Sequence, residues 1–570
     1  MKTLSISFLS ILVALGSAAA PADSCLTWND FAAGTQENVL PDFSYAGYDH
    51  GESAPPAAES LGYKVFNVCD YGAVPGDGKS DRDAFIRALE AAGARKTVRE
   101  RKNSTAIQLT GPGKNARMDA VIYFPEGVYD MQCDSDEVNE VMLLDMGNLI
   151  IRGAGRDRTT LRMTIGNELV DPKKLWTTPT MIVIGPHKDF VPLTTVTGVA
   201  PEGTFSVEVA SAAGIKAGDW VCLALKDNSP ELVAAELAPF SSVDLVPNAS
   251  IVKDGVEVCD IHQVKSVDGN TVTFVEPIMH AVDPRYKWEV KSFRPRQNVG
   301  VEDLCFEGRA KDKFRHHATG ADDGAFKLID FTRLANSYAR RLDFRSVSEA
   351  MTIDRSANVS AYDIHIGGTR GHSAVRSNYS SRVFIGKVVD ESSGYVNEGG
   401  RIVDIFLPNA GQFHACGVAK PSIGTVIWNV QWGDDACFES HATQPRATLI
   451  DHCRGAFLTQ HQGGAESQLP NHLNDLVIWN MDATKVKGMS RWKGKFYWWD
   501  AKDRWWKVLN PVIVGFHGQP VEFGETMPGE TARQYKRIES IGQAVEPASL
   551  YEAQLQRRLG YLPGWITDLK

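Results

Sequence analysis

The chain has 570 residues, 43% of them hydrophobic, with 60 basic against 70 acidic side chains and a formal net charge of −10. That balance argues against a nucleic-acid partner, which favours a basic face. An acidic polysaccharide is not excluded, because a locally basic groove can sit on an acidic protein.

Residues 1–20 carry a Lys at the front, an apolar stretch from Ile6 to Leu15 and a small-residue end at Ser17-Ala18-Ala19-Ala20. This is the make-up of a secretory signal peptide. No other run approaches the ~18 apolar residues that cross a bilayer, so the sequence predicts a secreted, extracellular protein with no membrane partner. Asn103, Asn248, Asn358 and Asn378 stand in N-x-S/T sequons, glycosylation acceptors in a eukaryotic source. The nine cysteines (25, 69, 133, 222, 259, 305, 416, 437 and 453) are odd in number and include no C-x-x-C pair. Export permits disulfides, at least one thiol stays unpaired, and a zinc ribbon is excluded.

After an N-terminal extension, residues 21–62, the stretch from Tyr63 to Ala92 reads as a strand, a Gly/Pro/Asp turn and a helix. The helix is capped near Ser80 or Asp81 and has Ala84, Phe85, Ala88 and Leu89 on one face. A helix of this kind would cover the open end of a solenoid. Val121–Tyr129 and Leu149–Gly155 supply the first coils of a unit spanning 63–189. Alternating strands with Gly214, Gly218 and Asp268-Gly269 as turns mark residues 190–292 as a small β-rich insertion. In residues 293–488 short apolar strands recur. With Val359, Val383, Val426, Leu449 and Leu476 as equivalents the steps are 24, 43, 23 and 27 residues, the 43 being read as two steps with one strand unrecognised. A period of this size means a solenoid. The leucine-rich pattern is missing and the strands are β-branched or aromatic, so the prediction is an all-β, right-handed parallel β-helix. Trp428, Trp432 and Trp479 are read either as core or wall or as sugar-stacking platforms. The segment 489–570 begins with aromatics interleaved with bases, either a hairpin packed on the flank or an anionic-glycan platform.

The stretch Phe66-Asn-Val-Cys-Asp-Tyr-Gly-Ala-Val-Pro-Gly-Asp-Gly-Lys-Ser-Asp81 closely resembles the N-terminal cap of the pectate-lyase-like β-helix superfamily, and Val121–Tyr129 and Leu149–Gly155 resemble its first two coils. The resemblance implies the β-helix but not one chemistry, because that superfamily holds lyases, hydrolases, epimerases and phage adhesins. Gly371-His372, Phe413-His414-Ala-Cys-Gly417, Gln460-His461, Val477-Ile-Trp-Asn480 and Ser549-Leu-Tyr-Glu-Ala-Gln-Leu-Gln-Arg-Arg-Leu-Gly560 look like a largely uncharacterised secreted group within it. Ala374 and Gln462-Gly463 depart from the group's pattern. His372, His414 and His461 match its three histidine positions.

In a β-helix, outward side chains of successive coils stack about 4.8 Å apart, so chemistry collects on one face. Aligning the coils places Ser348-Glu349, Gly371-His372, His414-Ala415 and Asp434-Asp435 at one corner, and most of the fourteen histidines fall between 316 and 472. The sequence reading is a polysaccharide lyase acting by β-elimination. His372 or His414 would be the base, Arg376 or Lys420 would neutralise the uronate, and His461 would be the acid. No cofactor is required by the pattern, although Ca²⁺ held by Asp434, Asp435 and Glu439 could replace the basic side chain. A zinc set of His372, His414 and Asp435 has suitable ligand types without a local zinc motif. The alternatives are a glycoside hydrolase using Glu349 with Asp435, or Asp434 with Asp435, and a non-catalytic glycan-binding protein. With no coiled-coil or fibre-like segment, a monomer is expected.

Overall fold

The computed structural model describes residues 25–398 and 400–570; the signal peptide expected at 1–20 lies outside them. The architecture is a right-handed parallel β-helix. The chain alternates between two large sheets of fifteen and nine strands. The first runs through twelve parallel strands from Lys64–Asn67 to Arg537–Glu539. The second runs from the hairpin Arg95–Arg101/Ser104–Thr110 to Cys437–Ser440.

Identical positions of successive coils stack, which gives the core its ladders. Val301, Ala339, Ala361 and Ile385 form one, and Leu304, Leu342, Ile364 and Val388 the next. All eight are buried, the Val, Leu and Ile side chains among them contributing on the order of 1.5–3 kcal/mol each. Between these ladders each long strand bends at a left-handed residue: Asp303, Arg341, Asp363 and Lys387 in consecutive coils. The corner residues alternate in sign, and Arg341 donates to Asp303 at 2.5 and 2.9 Å.

The helix Arg82–Ala91 buries the predicted face, with Phe85 against Phe124 at 5.5 Å beside the first coil. Arg82 inside it is held by Met131 O, Gln132 and Glu140. The insertion is a six-stranded antiparallel sheet, joined to the solenoid through buried Arg382. That side chain donates to Asp260 at 2.7 Å and to Ile261 O and Pro277 O.

Two sequence expectations need correction. The 43-residue step contains no further coil, because Phe384 pairs directly with Val426. The extra residues leave the solenoid as an antiparallel hairpin, Gly394–Glu398 with Arg401–Leu407. The same pairing shifts the strand equivalences by one residue, so Val426 aligns with Leu449 but Leu449 with Val477. Asn358 is fully buried with its amide donating to Tyr45 O and Gly47 O, which removes it as a glycan acceptor. The nine cysteines are all free thiols in the structure and eight are buried.

In the C-terminal segment Trp492, Trp498, Trp499 and Trp506 are buried and Trp505 is exposed; Trp492, Trp498 and Trp506 join the core of the coils beside Phe457, and Trp499 stacks on Phe240 of the insertion at 4.5 Å. Trp428 and Trp479 are buried as well, their indole N–H groups donating to Glu552 and Pro547 O. The helix Leu550–Leu559 clasps the N-terminal extension. Gln554 bonds Phe43 N and Pro41 O, Tyr551 donates to Ala46 O, and Arg558 holds Ser44, His50 and Glu52. Glu539 receives the backbone N–H groups of Leu26 and Thr27. Ser549 caps this helix, accepting from Glu552 N and donating to buried Asp451 at 2.6 Å. Ser549→Ala is expected to cost about 1–2 kcal/mol, read as a lowered midpoint in urea denaturation.

Candidate active site

Two in-register columns of the second sheet hold most of the candidate residues. One is Lys327, Glu349, Ser373, His414 and Cys437; the other is Asp330, Thr352, Arg376, Gly417 and Glu439. Over them lie a loop from 308 to 326, carrying Phe314, His316 and His317, and the inserted hairpin. Asn397 of the hairpin ties both down: its N–H donates to Asp435 at 2.8 Å, its amide to Phe314 O, and its side-chain oxygen accepts from His316 N.

The Phe413 ring divides the site. It stacks on His316 at 4.1 Å and on His461 at 4.1 Å. On the inner side Arg370, fully buried, donates to the Asp435 carboxylate at 2.6 Å and to Asp435 O at 2.7 Å. His461 Nδ1 donates to Phe413 O at 3.1 Å, and burial pushes this imidazole down to about 4. It is therefore neutral and walled off from solvent, which does not suit the general acid expected of it.

On the outer side the tautomers are set by neighbours. His414 Nδ1 donates to His461 O at 2.7 Å, which leaves its Nε2 a lone pair 3.1 Å from His316 Nε2. His372 Nδ1 faces Glu349 at 3.3 Å, and its buried Nε2 has no partner. Burial drives His414 and His316 well below the ordinary imidazole range, with the neighbouring imidazoles adding to the shift. Burial raises Glu349, but Lys327, His372 and Arg376 outweigh it and hold that carboxyl well below its usual value.

Glu439 is the hub of the second column. It accepts from Arg376 Nε at 2.9 Å, with Arg376 Nη2 in ion-pair contact at 2.6 Å, and its other oxygen accepts from His441 Nδ1. Burial opposes its charge, yet Arg376, His414 and His441 keep it well below the carboxylate range. Two glycines make room: a Cβ at Gly417 would lie 2.3 Å from Glu439 O and one at Gly463 2.1 Å from Glu439 Oε1. His441 is 27% exposed in its side chain. Its Nδ1 is committed to Glu439, so Nε2 is the proton-accepting atom.

The structure therefore brings together Glu349, His372, His414, Arg376 and Glu439, with Asp435 and His461 behind Phe413. It leaves Lys420 exposed and bonded through its backbone to Ala442 O. The expected calcium set does not assemble, because Asp434 accepts from Thr484, Asp435 is occupied by Arg370 and Glu439 by Arg376. The same partners remove both carboxylate pairs expected of a hydrolase. Sequence reasoning missed His316 and His317. Their signal was a histidine doublet in a stretch that breaks the coil pattern, and Phe413 stood unnoticed beside His414.

A family model described as a domain of unknown function (DUF4955) matches residues 411–569. No curated protein matches the chain. Among solved structures, the tailspike protein gp49 from Pseudomonas phage LKA1 is similar at 12% identity, over 79% of this chain and 70% of that one, with a TM-score of 0.41. The Streptococcus pneumoniae surface protein and adhesin PfbA is similar at 10% identity, over 84% and 97%, with a TM-score of 0.36. The A-module of the Azotobacter vinelandii mannuronan C-5 epimerase AlgE4 gives 10% identity, 84% and 96%, and a TM-score of 0.25. The likeness concerns the fold alone. No helix among the described residues is long and apolar enough to cross a membrane.

Two groups of potential ligands converge among the described residues: His316, His372 and His414, and His317, Asp323 and His372. Within each, the ligand atoms lie within 4.8 Å of one another.

Proposed function

We propose that the protein is a carbohydrate-active enzyme that cleaves an acidic, uronic-acid-containing polysaccharide by β-elimination. The observation that carries this reading is His441, oriented through Nδ1 by Glu439, which Arg376 also holds, and partly open to solvent. A base held by a buried carboxylate is the arrangement that proton abstraction needs. The Lys327 ammonium makes no ion pair or hydrogen bond among the described residues and, with Arg376, supplies positive charge next to Glu349. It is placed to take the uronate carboxylate and stabilise the enolate-like charge that builds as the α proton leaves. His441 Nε2 removes that proton, the C–O bond at the β carbon breaks, and the departing oxygen takes a proton from His317, which Asp323 holds at 2.7 Å.

The test is the ultraviolet absorbance of unsaturated uronate while the purified full-length protein is incubated with a panel of uronate polysaccharides. Absorbance should rise on at least one of them, and Lys327→Met should raise KM for it by about tenfold, equivalent to ~1.4 kcal/mol of lost binding. Reducing ends without absorbance would mean hydrolysis and end the elimination reading. Binding without either signal would leave a glycan-binding protein.

A further inference from the structure

We infer that His316, His372 and His414 form a binding site for a divalent transition metal of the zinc class. This goes beyond the elimination reading, which routes no step through a metal, and stands without it. Three observations carry it. First, the ligand atoms of these side chains lie within 4.8 Å of one another, and His316 Nε2 and His414 Nε2 already stand 3.1 Å apart. Two nitrogens each about 2.0–2.1 Å from a tetrahedral ion are about 3.3 Å apart, so this pair is spaced for one ion and His372 has to move inward by a short distance.

Second, the outer hydrogen bonds are those of metal-ligating imidazoles. His414 commits its Nδ1 proton to His461 O at 2.7 Å and His372 faces its Nδ1 to Glu349 at 3.3 Å. A histidine ligand ordinarily donates its second N–H to a carbonyl or carboxylate, which fixes the tautomer and aims the other lone pair at the ion. Third, His372 Nε2 is buried with no hydrogen-bond partner, on a residue only 5% exposed. An orphaned buried acceptor costs on the order of 1–3 kcal/mol, and a cation between the three rings removes that cost.

The surroundings also choose the metal. Three neutral nitrogens suit zinc, copper, cobalt or nickel, whereas calcium takes six to eight oxygens. His316 rides on the loop and stacks on Phe413, so the ligand set closes only when the loop lies down on the sheet. The partly exposed His316 and the exposed His317 mark the entry side. Three protein ligands leave the fourth tetrahedral position for water or a ligand oxygen.

The experiment uses the full chain, stripped with a chelator and titrated with ZnCl₂ by calorimetry, with CaCl₂ alongside and CoCl₂ as a spectroscopic probe. Expected are one zinc per chain, no calcium binding, and visible cobalt bands of tetrahedral intensity. His316→Ala, on the loop and outside the coil core, should weaken zinc by more than about 100-fold, and Glu349→Gln, which touches no metal, by about 10–100-fold. His414→Ala should abolish the cobalt bands. Wild-type protein that takes up no zinc, or His316→Ala that keeps wild-type affinity and the same cobalt spectrum, would overturn the site. Neither result depends on cleavage of any glycan, so failure here is separate from failure of the elimination reading.

Discussion

His441→Ala is expected to lower the elimination rate by about 10²–10⁴-fold, the usual contribution of a positioned general base, with KM little changed. The ring combines a carboxylate partner on Nδ1 with partial exposure, and that carboxylate, unlike the Asp323 that holds His317, is itself paired with Arg376. His414 and His461 have their Nδ1 atoms on backbone carbonyls and are fully buried. Both Arg376 contacts fall on one Glu439 oxygen, so the substitution leaves the other buried oxygen without its donor and should also cost about 1–3 kcal/mol of stability. His441→Gln preserves the donor to Glu439 without a titrating nitrogen and should be as inactive. Single-turnover rates on the polysaccharide identified by the absorbance panel measure the effect. A His441→Ala enzyme within threefold of wild type would remove this residue from the chemistry.

Arg370→Met is expected to destabilise the fold by about 3–5 kcal/mol, because it leaves the buried Asp435 carboxylate without its cation. Arg370 is fully buried, its guanidinium satisfies both the Asp435 side chain and Asp435 O, and it also reaches Tyr395 O of the hairpin. The pair therefore fastens the inserted hairpin and the Asp435 turn to the coil between them. Replacing both partners, Arg370→Met with Asp435→Leu, should recover much of the loss, since a buried ion pair exchanged for apolar side chains is often close to neutral. Guanidinium denaturation of the two single variants and the double variant forms the cycle. A single variant as stable as wild type would contradict the burial described here.

The coil architecture was legible because a stacked solenoid repeats one burial pattern every turn. Val359, Ile364 and Ile366 point inward at the same places as their counterparts in the coils before and after. The hairpin was not legible. Nothing in a 43-residue interval separates two coils from one coil with an excursion, and only the pairing of Phe384 with Val426 decides it. Of the candidate site, Glu349, His372, His414 and Asp435 came from aligning the coils, Arg376 and Glu439 from their nearness in sequence to that corner, and His461 from the resemblance. Asp435 and His461 fall behind Phe413, since period alone does not say how deep a corner residue lies. Lys420 follows the end of its strand and turns away. His316 and His317 arrive from a loop whose path over the sheet is set by Asn397 and Phe314, contacts that span more than 80 residues.

The clasp between the helix Leu550–Leu559 and the N-terminal extension alters how such a rod comes apart. Stacked coils touch only their nearest neighbours, so an ordinary solenoid can unzip inward from either end, losing one rung at a time. Here the two ends are fastened along the flank by contacts some 500 residues apart in sequence, so neither terminal segment is free to peel off alone. The rod behaves as a closed hoop: its weakest opening is release of the buckle, and until that happens the inner rungs share the protection of the whole.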